Sequence, residues 1–189
     1  MMKNNMLICA ACLPGILMTI GSCANTASSS VETEYRREDR YMLVRLDNYE
    51  YKGGAHGMGT TLYYVFDLTD KRVLNIRDFF REDMEGQLYE IIKKELRGYN
   101  DRIAAATQGT AVLGNDKPLS QGIFLTDEPG VPDNLFISQE GMYLNWAPNE
   151  TAPYTSGSIE ILLPWKTIRP LLRHDAMELL EKFGIYMFM

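Results

Sequence analysis

The chain has 189 residues, of which 46% are hydrophobic and 23% charged, enough apolar material for one domain with its own core. Its formal charge is −6, and Lys3 is the only charged residue among the first 22, so the remainder carries −7. No dense Lys/Arg run is available to follow a phosphate backbone, which excludes nucleic acid as a partner.

All three cysteines, Cys9, Cys12 and Cys23, lie at the start of the chain. The rest therefore has neither disulfide nor thiolate chemistry. With only His56 and His174 as imidazoles, no metal site and no cofactor are expected. Residues 1–22 have the form of a secretory signal: Lys3, then the uncharged, mostly apolar run Met6 to Ile20, then Gly21 and Ser22. That run is too short to span a bilayer comfortably, and Pro14-Gly15 interrupts it. Ile20-Gly21-Ser22-Cys23 resembles a lipobox, in which an aliphatic and two small residues precede the cysteine to be acylated. Cleavage before Cys23 would leave palmitate-type acyl chains holding the protein to a membrane of the bacterial cell envelope, facing the periplasm. Residues 23–35 are expected to form the acylated cysteine and a flexible tether, of which Ala24 to Ser30 is small and polar. Residues 36–189 would form one folded domain.

Within that domain, Tyr41 to Tyr51 alternates as a strand should, with Met42, Val44 and Leu46 on one side and Arg45 and Asp47 on the other. Gly53, Gly54 and Gly57 break it. A second strand is predicted over Thr60 to Leu68, apolar on both faces, and a third over Arg72 to Ile76 after a turn. Asp78-Phe79-Phe80 starts a helical turn. A longer helix follows over Met84 to Tyr99, with Leu88, Ile91, Ile92, Leu96 and Tyr99 on one stripe, and Ile103 to Ala106 can extend it. Thr107 to Gln121 reads as an exposed loop. Strands are predicted at Ile123 to Thr126, Asn134 to Ser138, Met142 to Trp146 and Ser158 to Leu163. Pro164 opens a helix that Pro170 ends or kinks, and Asp175 caps a last helix ending near Gly184. The expected class is α+β: a mostly antiparallel sheet on one main amphipathic helix, with short C-terminal helices.

Two stretches stand out chemically. Tyr51-Lys52-Gly53-Gly54-Ala55-His56-Gly57 has three glycines in five positions, which permits a tight corner or a loop presenting His56 and backbone N–H groups. Trp146 to Gly157 gathers two prolines, two aromatics and Glu150 between strands, either as a ligand platform or as a rigid cover for the sheet. Tyr51, Gly53, Gly54, His56, Gly57, Trp146 and Tyr154 are the candidate binding residues, and Cys23 the lipidation site.

These stretches resemble the C-terminal domain of RsiV-type anti-sigma factors, a domain that also precedes the catalytic domain of some peptidoglycan deacetylases and occurs in small bacterial lipoproteins. The matching pieces, in order, are Tyr51 to Gly57, Phe66-Asp67-Leu68, Asp78-Phe79-Phe80, Ala152-Pro153-Tyr154 with Gly157, and Leu163-Pro164. Asn149 stands where the family usually has tyrosine, and residues 31–50 are too few for the second small domain that relatives often carry upstream. In RsiV-type proteins the outer region recognises lysozyme, so the resemblance implies a lysozyme-like protein as ligand, with peptidoglycan as the other candidate. A net charge of −7 suits a basic protein ligand.

Three functions follow from this reading. The first is a non-catalytic binding module on an envelope lipoprotein. The second is a structural or assembly protein of the envelope. The third is an enzyme on peptidoglycan or polysaccharide using Glu150, Asp133, Asp127 or His56; no nucleophile–base motif supports it, so no catalytic residue is assigned.

Overall fold

The structure is a computed structural model and describes residues 28–53 and 57–185. The signal segment, Cys23, Gly54 and His56 lie outside the described residues. The architecture is mixed α+β, as expected, but the strands form two antiparallel sheets in place of one.

The first sheet has the order β1-β2-β3-β4, with β1 at Ser28–Glu38, β2 at Tyr41–Tyr51, β3 at Met58–Asp67 and β4 at Arg72–Leu74. β1 occupies most of the segment read as tether. Val31, Thr33 and Tyr35 alternate with Glu32, Glu34 and Arg36, a strand pattern that the serines before it obscure. Pairing from Ser28↔Tyr51 to Glu38↔Tyr41 then carries Ser28 to Ser30 along. The β3–β4 turn is organised by Asp67, 3% exposed, which accepts from the backbone N–H of Thr69 (3.0 Å) and Asp70 (3.1 Å) and pairs with Arg40. These donors hold its carboxyl below the usual carboxylate range, the Arg40 hydrogen bond contributing most.

Asn75 caps the one-turn helix α1 (Ile76–Phe79) in a reciprocal box with Asp78, which also pairs with Arg72 at 2.8 Å. Phe79 and Phe80 go into the core. The main helix α2 runs from Glu85 to Ala106, so Ile103 to Ala106 does extend it. Leu88, Ile92 and Leu96 form its buried stripe at four-residue spacing, and Asn100 continues that stripe one turn later. Asn100 is fully buried and satisfied: it donates to Ala111 O (2.8 Å) and accepts from Ile123 N–H (3.0 Å). Asp101 beside it accepts from Leu113 and Gly114 N–H. The loop after α2 is therefore tied down at both ends, with Leu113 and Leu119 buried.

Ile123 to Thr126 is not a strand. Phe124 turns into the core while Leu125 stays 59% exposed, and Leu125 N–H donates to Thr151 O, anchoring a loop. The second sheet comprises β5 (Leu135–Ile137), β6 (Gly141–Trp146) and β7 (Ile159–Pro164) in chain order. Helix α3 (Trp165–Ile168) passes into a 3-10 turn, Arg169–Leu171, where Pro170 ends regular α-helix. Helix α4 (His174–Lys182) starts one residue before Asp175, which sits in its first turn paired with Arg173 and is not the N-cap. Gly184, at φ 70°, closes it: Gly184 and Ile185 N–H return to Glu181 and Leu180 carbonyls.

Candidate functional site

The glycine corner between β2 and β3 sits at the far end of the first sheet, beyond the Glu50↔Met58 pair. Gly53 has φ 94°, a conformation that favours glycine. Gly57 is small for another reason: a Cβ there would run into the ring of Tyr49, which lies against it and stays 45% exposed. At the root of this corner is an open depression of about 290 Å³, lined by Ser30, Glu32, Asp47, Asn48, Tyr49, Gly59, Thr60 and Thr61. Glu32 and Asp47 are direct cross-strand partners, a like-charge pair. Asp47 is neutralised in place by Arg45 (2.9 Å) and by the Thr61 hydroxyl (2.7 Å). Glu32 has no ion-pair partner among the described residues.

The second stretch is used differently from the corner. Trp146 is fully buried and donates its indole N–H to Gly130 O at 2.8 Å, so it supports the loop from inside and offers no ring to a ligand. Glu150 closes the turn after β6 by accepting from Ala147 N–H (2.8 Å), and Asp127 likewise accepts from Ser120 N–H (2.8 Å). Asn149 has φ 69°, a left-handed position that asparagine tolerates and tyrosine does not favour, which accounts for the departure noted there. Tyr154 heads a 3-10 turn and is 52% exposed, and Gly157 follows at φ 69°, ψ −158°. Among the described residues, no hydrogen bond joins Gly53 or Gly57 to Tyr154.

A further feature, with no local signal in the sequence, is the junction of the two sheets. β4 pairs only with Val65 to Asp67, so the rest of that β3 edge needs other partners. Asn134 supplies them with its side chain, accepting from Tyr63 N–H (2.7 Å) and donating to Thr61 O (3.0 Å). Its own carbonyl takes Asn145 N–H at 2.9 Å. A row of rings crosses this junction: Tyr63 to Phe136 at 4.9 Å and Phe136 to Tyr143 at 6.4 Å between centroids. The Tyr63 hydroxyl is pushed up to about 12 by burial and by the nearby Glu160 carboxylate, to which it donates at 3.4 Å. Alternation in β5 to β7 marks Phe136, Tyr143, Asn145 and Glu160 as outward-facing, but only the fold brings Tyr63 beside them.

Among the described residues, no group of three or more His, Cys, Asp or Glu side chains is placed to hold a metal ion. None of their helices is long and apolar enough to cross a membrane.

Residues 77–166 match the family described as "Protein of unknown function (DUF3298)". A solved DUF3298-family member from Bacteroides fragilis superposes with a TM-score of 0.57 at 20% identity, covering 82% of this chain and 58% of its own. Another, from Pseudomonas aeruginosa, gives 0.55 at 18%, covering 79% of this chain and 64% of its own. The likeness is one of fold, and the chain spans less than two thirds of either relative. No curated protein matches it.

Proposed function

We propose that this DUF3298-type domain is the binding module of an envelope lipoprotein, held through acyl chains on Cys23, and that it captures a basic, lysozyme-like protein without catalysing a reaction. The observation that carries the reading is the depression at the root of the glycine corner. It is open, lined mostly by residues with polar side chains, flanked by the exposed Tyr49, and carries the unpaired carboxylate of Glu32. A shallow face of this kind suits a protein surface better than a small substrate, which would need a deep enclosed pocket. Two of the three carboxylates considered for catalysis support the same view: Glu150 and Asp127 are both spent on backbone N–H groups. The resemblance to RsiV-type domains favours lysozyme over other basic proteins.

Calorimetric titration of residues 24–189, which contain every described element, with lysozyme tests this. Micromolar binding is expected, weakening in high salt and falling about tenfold, or 1.4 kcal/mol, in Glu32→Lys. Absence of heat, or equal affinity of the Glu32→Lys variant, would remove lysozyme or this face from the proposal. Cell-wall fragments are then the ligand to titrate.

A further inference from the structure

The four-stranded sheet has a second face. Register places its side chains in rows across β1, β2 and β3: Val31–Asn48–Thr60, Thr33–Leu46–Leu62, Tyr35–Val44–Tyr64, and Arg37–Met42–Phe66, the last continuing to Val73 on β4. Seven of these side chains are aliphatic, Met or Phe, and two are Tyr. None is buried, and Val31, Tyr35 and Val73 are 46%, 46% and 43% exposed. Met42, Val44, Leu46, Leu62, Tyr64 and Phe66 all lie outside the hydrophobic core and outside the set packed against it. A contiguous apolar face of this kind on a sheet marks an interaction surface.

We infer that this face pairs with the same face of a second copy, the two sheets stacking with their strands antiparallel about a two-fold axis through the Thr33–Leu46–Leu62 row. Charge is the first argument. The face carries two charges of opposite sign at opposite ends: Arg37 in the last row, and Glu50 in the row Ser29–Glu50–Met58. Antiparallel stacking brings each Arg37 over the partner's Glu50 row, whereas parallel stacking would set like against like. Within one chain these two groups hold only exposed neighbours, Asp39 O and Lys52.

Shape is the second argument. Stacking about that row sets Tyr35, Val44 and Tyr64 over the smaller Val31, Asn48 and Thr60, large against small, as interdigitating sheets require. Area is the third. Strands about 4.8 Å apart with a rise of about 3.3 Å per residue make a face of roughly 400 Å² in projection before side-chain relief. Two such faces give about 800 Å² in projection, which side-chain relief raises toward the roughly 1,000 Å² that a weak, reversible interface should clear. An isologous contact uses one patch twice and closes, so it forms a dimer and no larger array.

The chain after Cys23 contains no cysteine, which makes the test direct. In residues 24–189, Leu46→Cys should cross-link to itself with a short bis-maleimide, while Glu34→Cys on the opposite face should not. Sedimentation should show a dimer dissociating in the micromolar range, and Leu46→Glu should be monomeric with an unchanged circular dichroism spectrum. Arg37→Glu should weaken the dimer about tenfold, and adding Glu50→Arg should restore most of that loss. A monomer at about 100 µM, or a dimer untouched by Leu46→Glu, overturns the inference. So does a monomer that floats with phosphatidylglycerol–phosphatidylcholine vesicles through this face, which would give the surface to the bilayer. Asn48 and Thr60 border both the depression and this face, but Glu32 faces the other way, so titrating lysozyme into the monomeric Leu46→Glu protein and its Glu32→Lys counterpart tests the lysozyme proposal separately.

Discussion

The two sheets use the same alternation to different ends. In the three-stranded sheet, Leu135, Ile137, Met142, Leu144, Trp146, Ile159, Ile161 and Leu163 all point inward, and none is more than 3% exposed. In the four-stranded sheet only Leu43, Val65 and Leu74 reach the core with Asp67, all at the end near the C-terminal helices. Beyond them the inner face turns polar, through Arg45, Asp47 and Glu32, while the outer face stays apolar. One sheet is scaffold. The other is half scaffold and half surface, and both proposed contacts sit on its surface half.

Core substitutions should break this contrast first. Trp146→Ala removes a fully buried ring and its hydrogen bond and should cost about 3–5 kcal/mol by urea denaturation. Leu46→Ala, on the uncovered face, should cost under about 1 kcal/mol in the monomer. Equal costs would mean that something covers the outer face. Next comes Asn134→Ala, which strips partners from Tyr63 N–H and Thr61 O and should cost about 2–3 kcal/mol. A neutral result would show the two sheets to be held together by the ring row alone.

The same contrast explains what could be read in the sequence. The stripe Leu88, Ile92, Leu96 and the alternation of Met142 to Trp146 are clean because each has one buried side, and both were legible. Thr60 to Leu68 is apolar on both sides, so its pattern places a strand without saying which face is core. Trp146 stays open between platform and cover in the sequence, because an aromatic at the start of a proline-containing loop looks the same inside or outside. The motif pieces divided likewise. Asp67 builds a turn, Asp78 caps a helix, and Phe79 and Phe80 fill the core, while Phe66, Pro153 and Tyr154 are left outside it. Asn134 carried no local signal, because its role lies in a strand edge 71 residues away.

Acid sharpens the scaffold end of the first sheet. The carboxyl of Asp67 is held below its ordinary value by Arg40 and two backbone N–H groups. A depressed folded pKa contributes stability that is complete above the unfolded value of about 3.9 and is lost as pH falls through the folded one. Denaturation midpoints of the protein should therefore drop below about pH 4 more steeply than those of Asp67→Asn, which has already lost the pair at neutral pH. Parallel curves would assign the acid limb to other carboxylates, with Asp101 and Asp127 the next to test.

The smallest effects come from one glycine in each sheet, and they differ in sign. At Gly141, in β6, a Cβ would collide with the backbone carbonyl of Leu163 across the ladder, and there is little room to yield because Gly141 is buried and β7 packs on α2. Gly141→Ala should cost about 1–3 kcal/mol. Gly59, in β3 on the wall of the depression, has nothing within 4 Å of where a Cβ would stand, and its φ is not in the left-handed region. Alanine there removes backbone freedom from the unfolded chain at no steric cost, so Gly59→Ala should stabilise by about 0.5 kcal/mol. That gain should leave self-association unchanged, because Gly59 lies on the face opposite Leu46. If Gly59→Ala destabilises instead, the corner strand is bending where the register shows it straight, and the depression is deeper than its described walls.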